Sequence, residues 1–370
     1  MKKVGILSMQ RIFNYGSFLQ AYGLKSILNE LGCDVEFVDY HPGKCLVESV
    51  EGHGVKRKII KVVEVLLYKA PLKEKIKFIK YKKEYAQKYF PMLGIDNNMN
   101  YSPKLDMLVI GSDEVFNCVQ NNTNVGFSPE LFGEGNCANR VITYAASCGN
   151  TTVEKIEQYG IGNKLSMWFS QMDAISVRDN NTKNVVESLS ERKVNMHFDP
   201  VLVYDYVNKC DLIPRVMEKS NYLILYGYSG RFTNEECKQI RQYAKRNNLK
   251  IYCIGGVQNC CDKFIDCSPF EVISYFKGAQ CVVTDTFHGT ILSVITHSEF
   301  VSIVRNTGYG NSEKLTDLLK KLDLNSRIIS DMKLIDEFME KKIQYELVDN
   351  IISEQRRLAY DYLRNEVKMC

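Results

Sequence analysis

The stretch "CVVTDTFHGTIL", from Cys281 to Leu292, joins a buried strand pattern to a helical pattern. Its first four residues are apolar or β-branched, as in a strand of a parallel sheet that is covered on both faces. Asp285 and Thr286 then fall at the carboxyl end of the strand, and Thr286 is a natural N-cap for the helix that follows. A strand that leads through a capped turn into a helix is a building unit of α/β domains.

The same turn carries one of the five histidines of the chain. The backbone N–H groups of Phe287, His288 and Gly289 would point away from the strand with the positive end of the helix dipole behind them, which suits phosphate or carboxylate. Gly289 would let a ligand approach the backbone closely. An imidazole beside a bound anion can donate a proton near neutral pH. We interpret His288 as a catalytic acid; the alternative is a core histidine at a helix start.

Strand patterns alternate with amphipathic helical patterns along most of the chain. Strands separated by helices predict βαβ units and parallel sheets, and therefore an α/β fold of two Rossmann-like domains that face a cleft. The strand candidates are VGILSM, VEFVDY, DMLVIGS, RVITYAAS, DAISVRD, VNMHFDP, NYLILYGY, KIYCIGG, QCVVTD and FVSIV.

The domain boundary is predicted near residue 205, because Asp199-Pro200 and Pro214 interrupt the pattern there. A chain of 370 residues exceeds the size at which one hydrophobic core usually stops growing. The predicted units are an N-terminal domain at 1–205 with a basic helical insert at about 55–90, a C-terminal domain at 206–345, and a C-terminal helix at 346–370 that packs back on the first domain.

The composition favours a soluble cytoplasmic protein. The net charge of +4 does not call for nucleic acid, and we expect none as a partner. The 13 cysteines include no CxxC pair, so we expect reduced thiols, no structural zinc and no metal. No apolar run approaches the roughly 20 residues that cross a bilayer.

The insert at 55–90 is strongly basic, with twelve Lys or Arg residues against three Glu. Apolar residues are interleaved with the lysines, and Pro71 divides the segment into about two helices. Two interpretations stay open. The insert can lie on an anionic membrane as a basic amphipathic helix. It can equally be a solvated helical hairpin whose apolar stripe packs on its own domain.

Arg178 in "AISVRDNNT" follows a strand pattern and precedes polar turn residues. A guanidinium at a strand edge can hold a phosphate or carboxylate through two parallel hydrogen bonds. The alternative is an ion pair with the neighbouring Asp179.

Two further strand ends carry candidate binding residues. In "RIFNYGSFLQ", Asn14, Tyr15 and Gly16 form a loop before the first helix, although the GxGxxG and GxxxxGK[ST] patterns are missing. In "LVIGSDEVFN", Ser112 and Asp113 close another apolar strand and would face the same crevice.

Taken in order, these segments resemble the polysaccharide pyruvyl transferase family over most of the chain, to about Arg327. The matching segments are NYGSFLQAYGLKSILNELG (14–32), VDYHP (38–42), LVIGSDEVFN (108–117), TYAASCG (143–149), ISVRD (175–179), DPVLV (199–203) and VVTDTFHGTILSVI (282–295).

The resemblance implies a GT-B-like fold, no cofactor and no metal. It implies transfer of the enolpyruvyl unit of phosphoenolpyruvate to two hydroxyls of a sugar, giving a cyclic pyruvate ketal and phosphate. The histidine of the family falls on His288 and an arginine of the family on Arg178. Some branches carry an arginine where this chain has Thr286, and many relatives have glutamine where it has Glu114.

From these residues we predict a proton-transfer site. His288 protonates the methylene carbon, while Arg178 and the helix start hold the carboxylate and phosphate. Asp285 either orients the ring or caps the helix locally. The predicted catalytic residues are His288, Arg178 and Asp285, and the predicted substrate-binding residues are Asn14, Tyr15, Gly16, Ser112, Asp113, Thr286, Phe287, Gly289 and Thr290.

The expected acceptor is a galactose-type sugar of a surface-polysaccharide precursor, carried on polyprenyl diphosphate at the inner face of the cell membrane. A rival prediction is a GT-B-type nucleotide-sugar glycosyltransferase, whose base and ribose pocket could include "YCIGGVQN" at 252–259. A third is a binding module without catalysis, which His288 and Arg178 argue against only if both line one cleft.

Overall fold

The computed structural model describes residues 1–47, 63–215, 220–305 and 312–370. The N-terminal half is built on a parallel sheet of six strands in the order β2-β1-β3-β4-β5-β6. Helices cover both faces of this sheet, which explains why most residues of the central strand β3 are buried. The strands are β1 (Lys2–Leu7), β2 (Cys33–Val38), β3 (Lys104–Asp113), β4 (Cys137–Ala146), β5 (Ile175–Val177) and β6 (Val194–Met196).

The C-terminal half contains a second parallel sheet, of five strands in the order β11-β10-β7-β8-β9. The sheet was predicted except for β9, whose two residues are too few to give a sequence pattern. The domain limits themselves stay a prediction, although the sheets separate between Met196 and Tyr222. The strands are β7 (Tyr222–Tyr226), β8 (Lys250–Ile254), β9 (Lys263–Phe264), β10 (Cys281–Thr284) and β11 (Phe300–Ser302).

Helices connect the strands and fill the space between the two sheets. In the N-terminal half they are α1 (Tyr15–Glu30), α2 (Leu72–Tyr89), α3 (Val153–Gln158), α4 (Gly162–Gln171), α5 (Asn180–Leu189), α6 (Pro200–Val203) and α7 (Tyr206–Lys209). In the C-terminal half they are α8 (Asn234–Arg246), α9 (Pro269–Gly278), α10 (Phe287–Ile295), α11 (Ser312–Lys321), α12 (Ile335–Glu340) and α13 (Tyr345–Lys368). Short 3₁₀ helices lie at Phe90–Leu93, Pro129–Phe132, Asn325–Arg327 and Met332–Leu334.

The last helix, α13, contacts both halves of the molecule. Near its start, the Tyr345 hydroxyl donates to the Ser298 carbonyl of the C-terminal half. Near its end, the Tyr362 hydroxyl donates to the Thr143 carbonyl at 2.9 Å, and Arg140 pairs with Glu366. The helix therefore ties the two sheets together.

The helix α2 also connects the two halves. Pro71 precedes it, and residues 63–67 form a further helical turn before that proline, while the basic residues at 55–62 lie outside the described part of the chain. Its buried aromatic side chains include Phe78 and Tyr81, which pack on Phe264 of β9 with ring centroids 5.2 and 5.5 Å apart. None of the helices in the described ranges is both long and apolar enough to span a membrane.

Candidate active site

A cavity of about 260 Å³ lies where the carboxyl ends of the two sheets face each other. In both sheets the strand order changes direction at this point, between β1 and β3 and between β7 and β10, which is where open α/β sheets bind ligands. The cavity is lined by Phe13, Asn14, Tyr15, Ser17, Tyr81, Lys82, Asp113, Glu114, Tyr226, Gly227, Tyr228, Arg231, Gly255, Thr286, Phe287, His288 and Lys314.

The turn after β10 places His288 in this cavity. Thr286 is the N-cap of α10, and its hydroxyl accepts from the Gly289 N–H at 3.0 Å, as predicted. Thr286, Phe287 and His288 line the cavity. The Gly289 N–H is engaged by this cap and does not face a ligand, contrary to the prediction.

Gly16 makes room for the imidazole of His288. A Cβ atom at Gly16 would lie 2.1 Å from Nδ1 of the ring, which is far closer than two atoms can approach without a bond. The predicted loop after β1 therefore belongs to the site, because the N-terminal half packs directly against the histidine of the C-terminal half. Any side chain at this position would displace the ring.

Behind the ring lies a buried carboxylate that the sequence did not identify. Asp199 Oδ2 is 3.5 Å from His288 Nε2 and accepts from the Arg178 guanidinium at 2.5 Å. Burial alone would raise the pKa of Asp199, but the His288 ring, the Arg178 guanidinium and the Val201 N–H outweigh it and lower that pKa. The carboxylate thus stays ionised beside the imidazole.

Arg178 is buried and is not among the residues that line the cavity, and its contact with a substrate anion stays a prediction. The alternative, an ion pair with Asp179, is not formed in the described part of the chain. Asp179 caps α5 and accepts from the Ser147 hydroxyl at 2.6 Å. Arg178 instead pairs with Asp199 and lies 3.7 Å from Asp113. Arg178 therefore lies behind His288 and holds the Asp199 carboxylate.

Asp285 neither orients the His288 ring nor caps the helix. Its carboxylate accepts from the Arg231 guanidinium at 2.8 Å and from the Arg305 guanidinium at 3.1 Å. Arg305 also pairs with Glu236. The closeness of Asp285 to His288 in the sequence was misleading. The Asp285 side chain points toward loops of the C-terminal half, and Asp199 is the carboxylate beside the His288 ring.

Three predicted binding residues have structural roles. A Cβ atom at Gly289 would lie 2.2 Å from Thr284 Oγ1, so this glycine permits close packing of α10 on β10. The Thr290 hydroxyl is buried against Thr286 and Ser302. The Ser112 hydroxyl donates to the Ala145 carbonyl at 3.0 Å. Gly289, Thr290 and Ser112 are not among the residues that line the cavity.

The predicted residues Asn14, Tyr15 and Asp113 line the cavity, whereas Gly16 contacts the His288 ring without lining it. The Asn14 side chain accepts from the Ser17 N–H at 2.7 Å and so caps α1. Tyr15 donates from its hydroxyl to the Cys267 carbonyl at 2.9 Å, which joins the two halves. Asp113 accepts from the Ser17 hydroxyl at 2.7 Å. Both Asn14 and Asp113 therefore stand at the cavity wall with fixed orientations.

Three cations that line the cavity were missed: Lys82, Arg231 and Lys314. Lys82 comes from the basic insert, whose pattern suggested only a surface. Arg231 follows β7 and could have been found as a charged residue after a strand end. Lys314 comes from α11 and gave no sequence signal, because its contact with the N-terminal half is purely tertiary.

Lys314 pairs across the cavity with Glu114, which follows β3 in the N-terminal half. Burial alone would raise the pKa of Glu114, but Lys314, Asn117 and Arg178 lower it to about 2. The Glu114 carboxylate therefore stays ionised near neutral pH. In the described ranges, no three His, Cys, Asp or Glu side chains are grouped so that they could hold a metal ion.

The chain is similar to known structures at low sequence identity. MnaA of S. aureus, in a co-structure with UDP, superposes with a TM-score of 0.51 at 9% identity, and the match covers 100% of this chain and 96% of that one. MurG of Acinetobacter baumannii gives 0.41 at 9%, covering 100% of both chains. An O-GlcNAc transferase mutant of Thermobaculum terrenum gives 0.46 at 9%, covering 100% of this chain and 66% of that one. The two facing parallel sheets are the GT-B fold.

Among proteins with curated descriptions, none matches the chain. The family model for polysaccharide pyruvyl transferase matches residues 14–307, which include every residue that lines the cavity except Phe13 and Lys314. The matched segment also contains the histidine, the aspartate beside it and the arginine that supports them. The chain therefore belongs to the polysaccharide pyruvyl transferase family and is an enzyme of this type.

Proposed function

We propose that the protein transfers the enolpyruvyl unit of phosphoenolpyruvate to two hydroxyls of a sugar and releases phosphate. The observation that carries the proposal is the position of His288, which lines the cavity together with three cations and is backed by an ionised carboxylate. The donor combines a carboxylate with a phosphate, so its charge is opposite to that of these three cations, while Asp113 and Glu114 also line the cavity. Lys82, Arg231 and Lys314 would hold these anionic groups.

The chemistry needs one acid at the methylene carbon. The His288 imidazolium gives its proton to that carbon, which becomes a methyl group, and positive character develops at the neighbouring carbon. A sugar hydroxyl attacks there and gives up its proton, which restores the imidazolium. The bond to the phosphate oxygen then breaks, the second hydroxyl closes the ketal, and its proton leaves with the phosphate.

Asp199 stabilises the positive charge on the ring before transfer, and Arg178 keeps Asp199 ionised and in place. Both act as positioning residues. Asp113 and Asn14 lie at the wall where a sugar hydroxyl would enter, and their oxygens can accept its proton in a hydrogen bond.

For the acceptor we propose a galactose-type sugar of a surface-polysaccharide precursor, linked to polyprenyl diphosphate at the inner face of the membrane. The elongated carrier would keep the sugar near a lipid surface while the cavity receives it. The proposal for the acceptor rests on the family together with the basic helix α2 that forms one wall of the cavity.

The nucleotide-sugar alternative is less well supported by the segment 252–259. Gly255 lines the cavity, but the Gln258 side chain is buried and donates to the Tyr228 carbonyl at 2.6 Å. The same side chain accepts from the Phe232 N–H at 3.3 Å. This segment therefore serves to hold the loop that presents Arg231.

Phosphoenolpyruvate at about 100 times its dissociation constant should stabilise the protein by about 2.7 kcal/mol, because a ligand that binds only the folded state shifts the unfolding equilibrium. Thermal unfolding with and without phosphoenolpyruvate measures this effect, and UDP and GDP at the same concentration serve as controls. Stabilisation by a nucleotide but not by phosphoenolpyruvate would favour the glycosyltransferase.

Replacing Glu114 with glutamine should tighten phosphoenolpyruvate binding by about two- to fivefold, since a partly exposed charge pair contributes up to about 1 kcal/mol. The change frees Lys314 for the donor while the amide keeps the shape of the side chain. Titration of the donor by calorimetry measures the affinity.

The donor-free Glu114→Gln protein should also unfold at a lower temperature, because buried Lys314 loses its partner. Lys314→Met is the matched variant and should weaken donor binding. Equal donor affinity in wild type and in both variants would show that the pair does not face the donor.

A further inference from the structure

The helix α2 presents two different faces. Its inner face is aromatic, and Phe78, Tyr81, Tyr85 and Tyr89 are buried between the two halves of the protein. Its outer face follows the helical spacing of four, four and three residues, with exposed side chains at Leu72, Ile76, Lys80 and Lys83. One interpretation of the sequence was a solvated helical hairpin whose apolar stripe packs on its own domain. That interpretation explains the inner face of α2 but not the outer face.

The outer face continues into an apolar patch. This apolar patch consists of Val63, Leu66, Leu67, Leu72 and Ile76, all exposed. Leu67, Leu72 and Ile76 are 76%, 61% and 56% exposed. Single exposed apolar residues are ordinary on protein surfaces, but five large ones within residues 63–76 are a concentration typical of an interaction site.

Lysines border the apolar patch. Lys69, Lys73, Lys80 and Lys83 are exposed on the same segment, against one exposed acidic residue at Glu64. This combination of large apolar side chains with a lysine border is typical of helices that lie in the interface of an anionic membrane. A second copy of the chain is a poorer partner, because a twofold dimer through this surface would place its lysines near each other.

The apolar patch is close to the active site. Tyr81 and Lys82 of the same helix line the cavity, and at 1.5 Å per residue they lie about 8–9 Å along the helix axis from Ile76. The Lys82 ammonium donates to the Phe13 carbonyl at 2.7 Å, which fixes the helix to the loop before α1. If a surface outside the protein binds α2, the position of the cavity relative to that surface is therefore fixed.

We propose that the apolar patch and its lysines dock the protein on an anionic phospholipid membrane. Leu67, Leu72 and Ile76 enter the interface, and Lys69, Lys73, Lys80 and Lys83 contact lipid phosphates. The docking places the cavity within reach of a sugar that projects from a lipid carrier in the same leaflet. Only this last step rests on the proposed function.

The test uses the full chain and vesicles of phosphatidylcholine with phosphatidylglycerol, with vesicles of phosphatidylcholine alone as reference. Wild type should sediment with the anionic vesicles, and added salt should weaken the binding. The triple variant Leu67→Ser/Leu72→Ser/Ile76→Ser should bind at least about tenfold more weakly, because it loses the apolar area that enters the interface. Lys73→Gln/Lys80→Gln/Lys83→Gln should lose the dependence on anionic lipid.

A matched control is Leu212→Ser/Leu347→Ser, which replaces leucines that are 53% and 57% exposed elsewhere on the surface and should bind as wild type does. Equal binding by the serine triple variant, or wild-type binding to neither vesicle, overturns the proposal. A dimer of wild type that the triple variant abolishes identifies a second copy as the partner and also overturns it. Membrane docking and the proposed reaction are tested separately, because vesicle sedimentation measures the first and thermal stabilisation by phosphoenolpyruvate tests the second. Either result can be positive while the other is negative.

Discussion

Replacing His288 with glutamine should lower turnover by about 10²- to 10⁴-fold while the protein remains folded, which is the range that one positioned acid contributes. Glutamine has a similar size and can donate a hydrogen bond, but it cannot give a proton to carbon. The measurement is phosphate release from phosphoenolpyruvate with a sugar acceptor, together with the mass gain of the acceptor. The affinity for phosphoenolpyruvate, measured by thermal unfolding, should change much less than turnover.

A second variant tests the same acid without removing it. Gly16→Ala would place a methyl group against Nδ1 of His288, so the ring must move and turnover should fall although the imidazole is present. Gly162→Ala is the matched control, because its added carbon meets only Ile156 and Leu189 at 3.7 and 3.9 Å. Near-normal turnover in a folded His288→Gln protein would contradict the assignment of the acid.

The parts of the fold that depend on local pattern could be predicted from the sequence. The apolar run at Cys281–Thr284, the cap at Thr286 and the break at Pro71 involve neighbouring residues, so their physical causes are visible in the chain. Parallel strands also bring their carboxyl ends to one edge. That rule correctly placed Asn14 and Asp113 at the cavity with His288.

The parts of the site that depend on distant contacts could not be predicted. Asp199 reaches His288 from the segment DPVLV, which indicated a domain boundary and a family resemblance but no site residue. Asp285 was favoured because it is close to His288 along the chain, yet successive side chains at a strand end point in different directions. Gly289 was interpreted as a ligand contact, whereas tight packing of α10 on β10 requires it. Sequence proximity was therefore a poor guide to the partner of the histidine.

Replacing Arg178 with methionine should destabilise the protein by up to about 3–5 kcal/mol, because the buried Asp199 carboxylate would keep only the His288 ring and the Val201 N–H as stabilising partners. Arg178 is buried and is not among the residues that line the cavity, and its guanidinium pairs with the buried carboxylate of Asp199 at 2.5 Å. Methionine keeps much of the volume, so packing should change little. Chemical unfolding near pH 7 measures the loss.

The loss of stability in the Arg178→Met protein should become smaller as the pH falls. In wild type the pKa of Asp199 is lowered in the folded state, so Asp199 stabilises the protein fully above the ordinary carboxyl pKa of about 3.9. This stabilisation is lost as the pH falls from that value toward the pKa of Asp199 in the folded protein. Without Arg178 the native pKa of Asp199 rises, so the variant takes up a proton at a higher pH than wild type does. The difference in unfolding free energy between the two proteins should therefore narrow between pH 7 and about pH 4.

The double variant Arg178→Met/Asp199→Asn decides whether this pair is the cause. It removes the charge that the single variant leaves buried, so it should recover part of the lost stability, and its stability should vary less with pH. Turnover should not recover with stability, because the carboxylate beside His288 is gone. If Arg178→Met were as stable as wild type but bound phosphoenolpyruvate much more weakly, Arg178 would contact the donor directly, as the resemblance to the family had suggested.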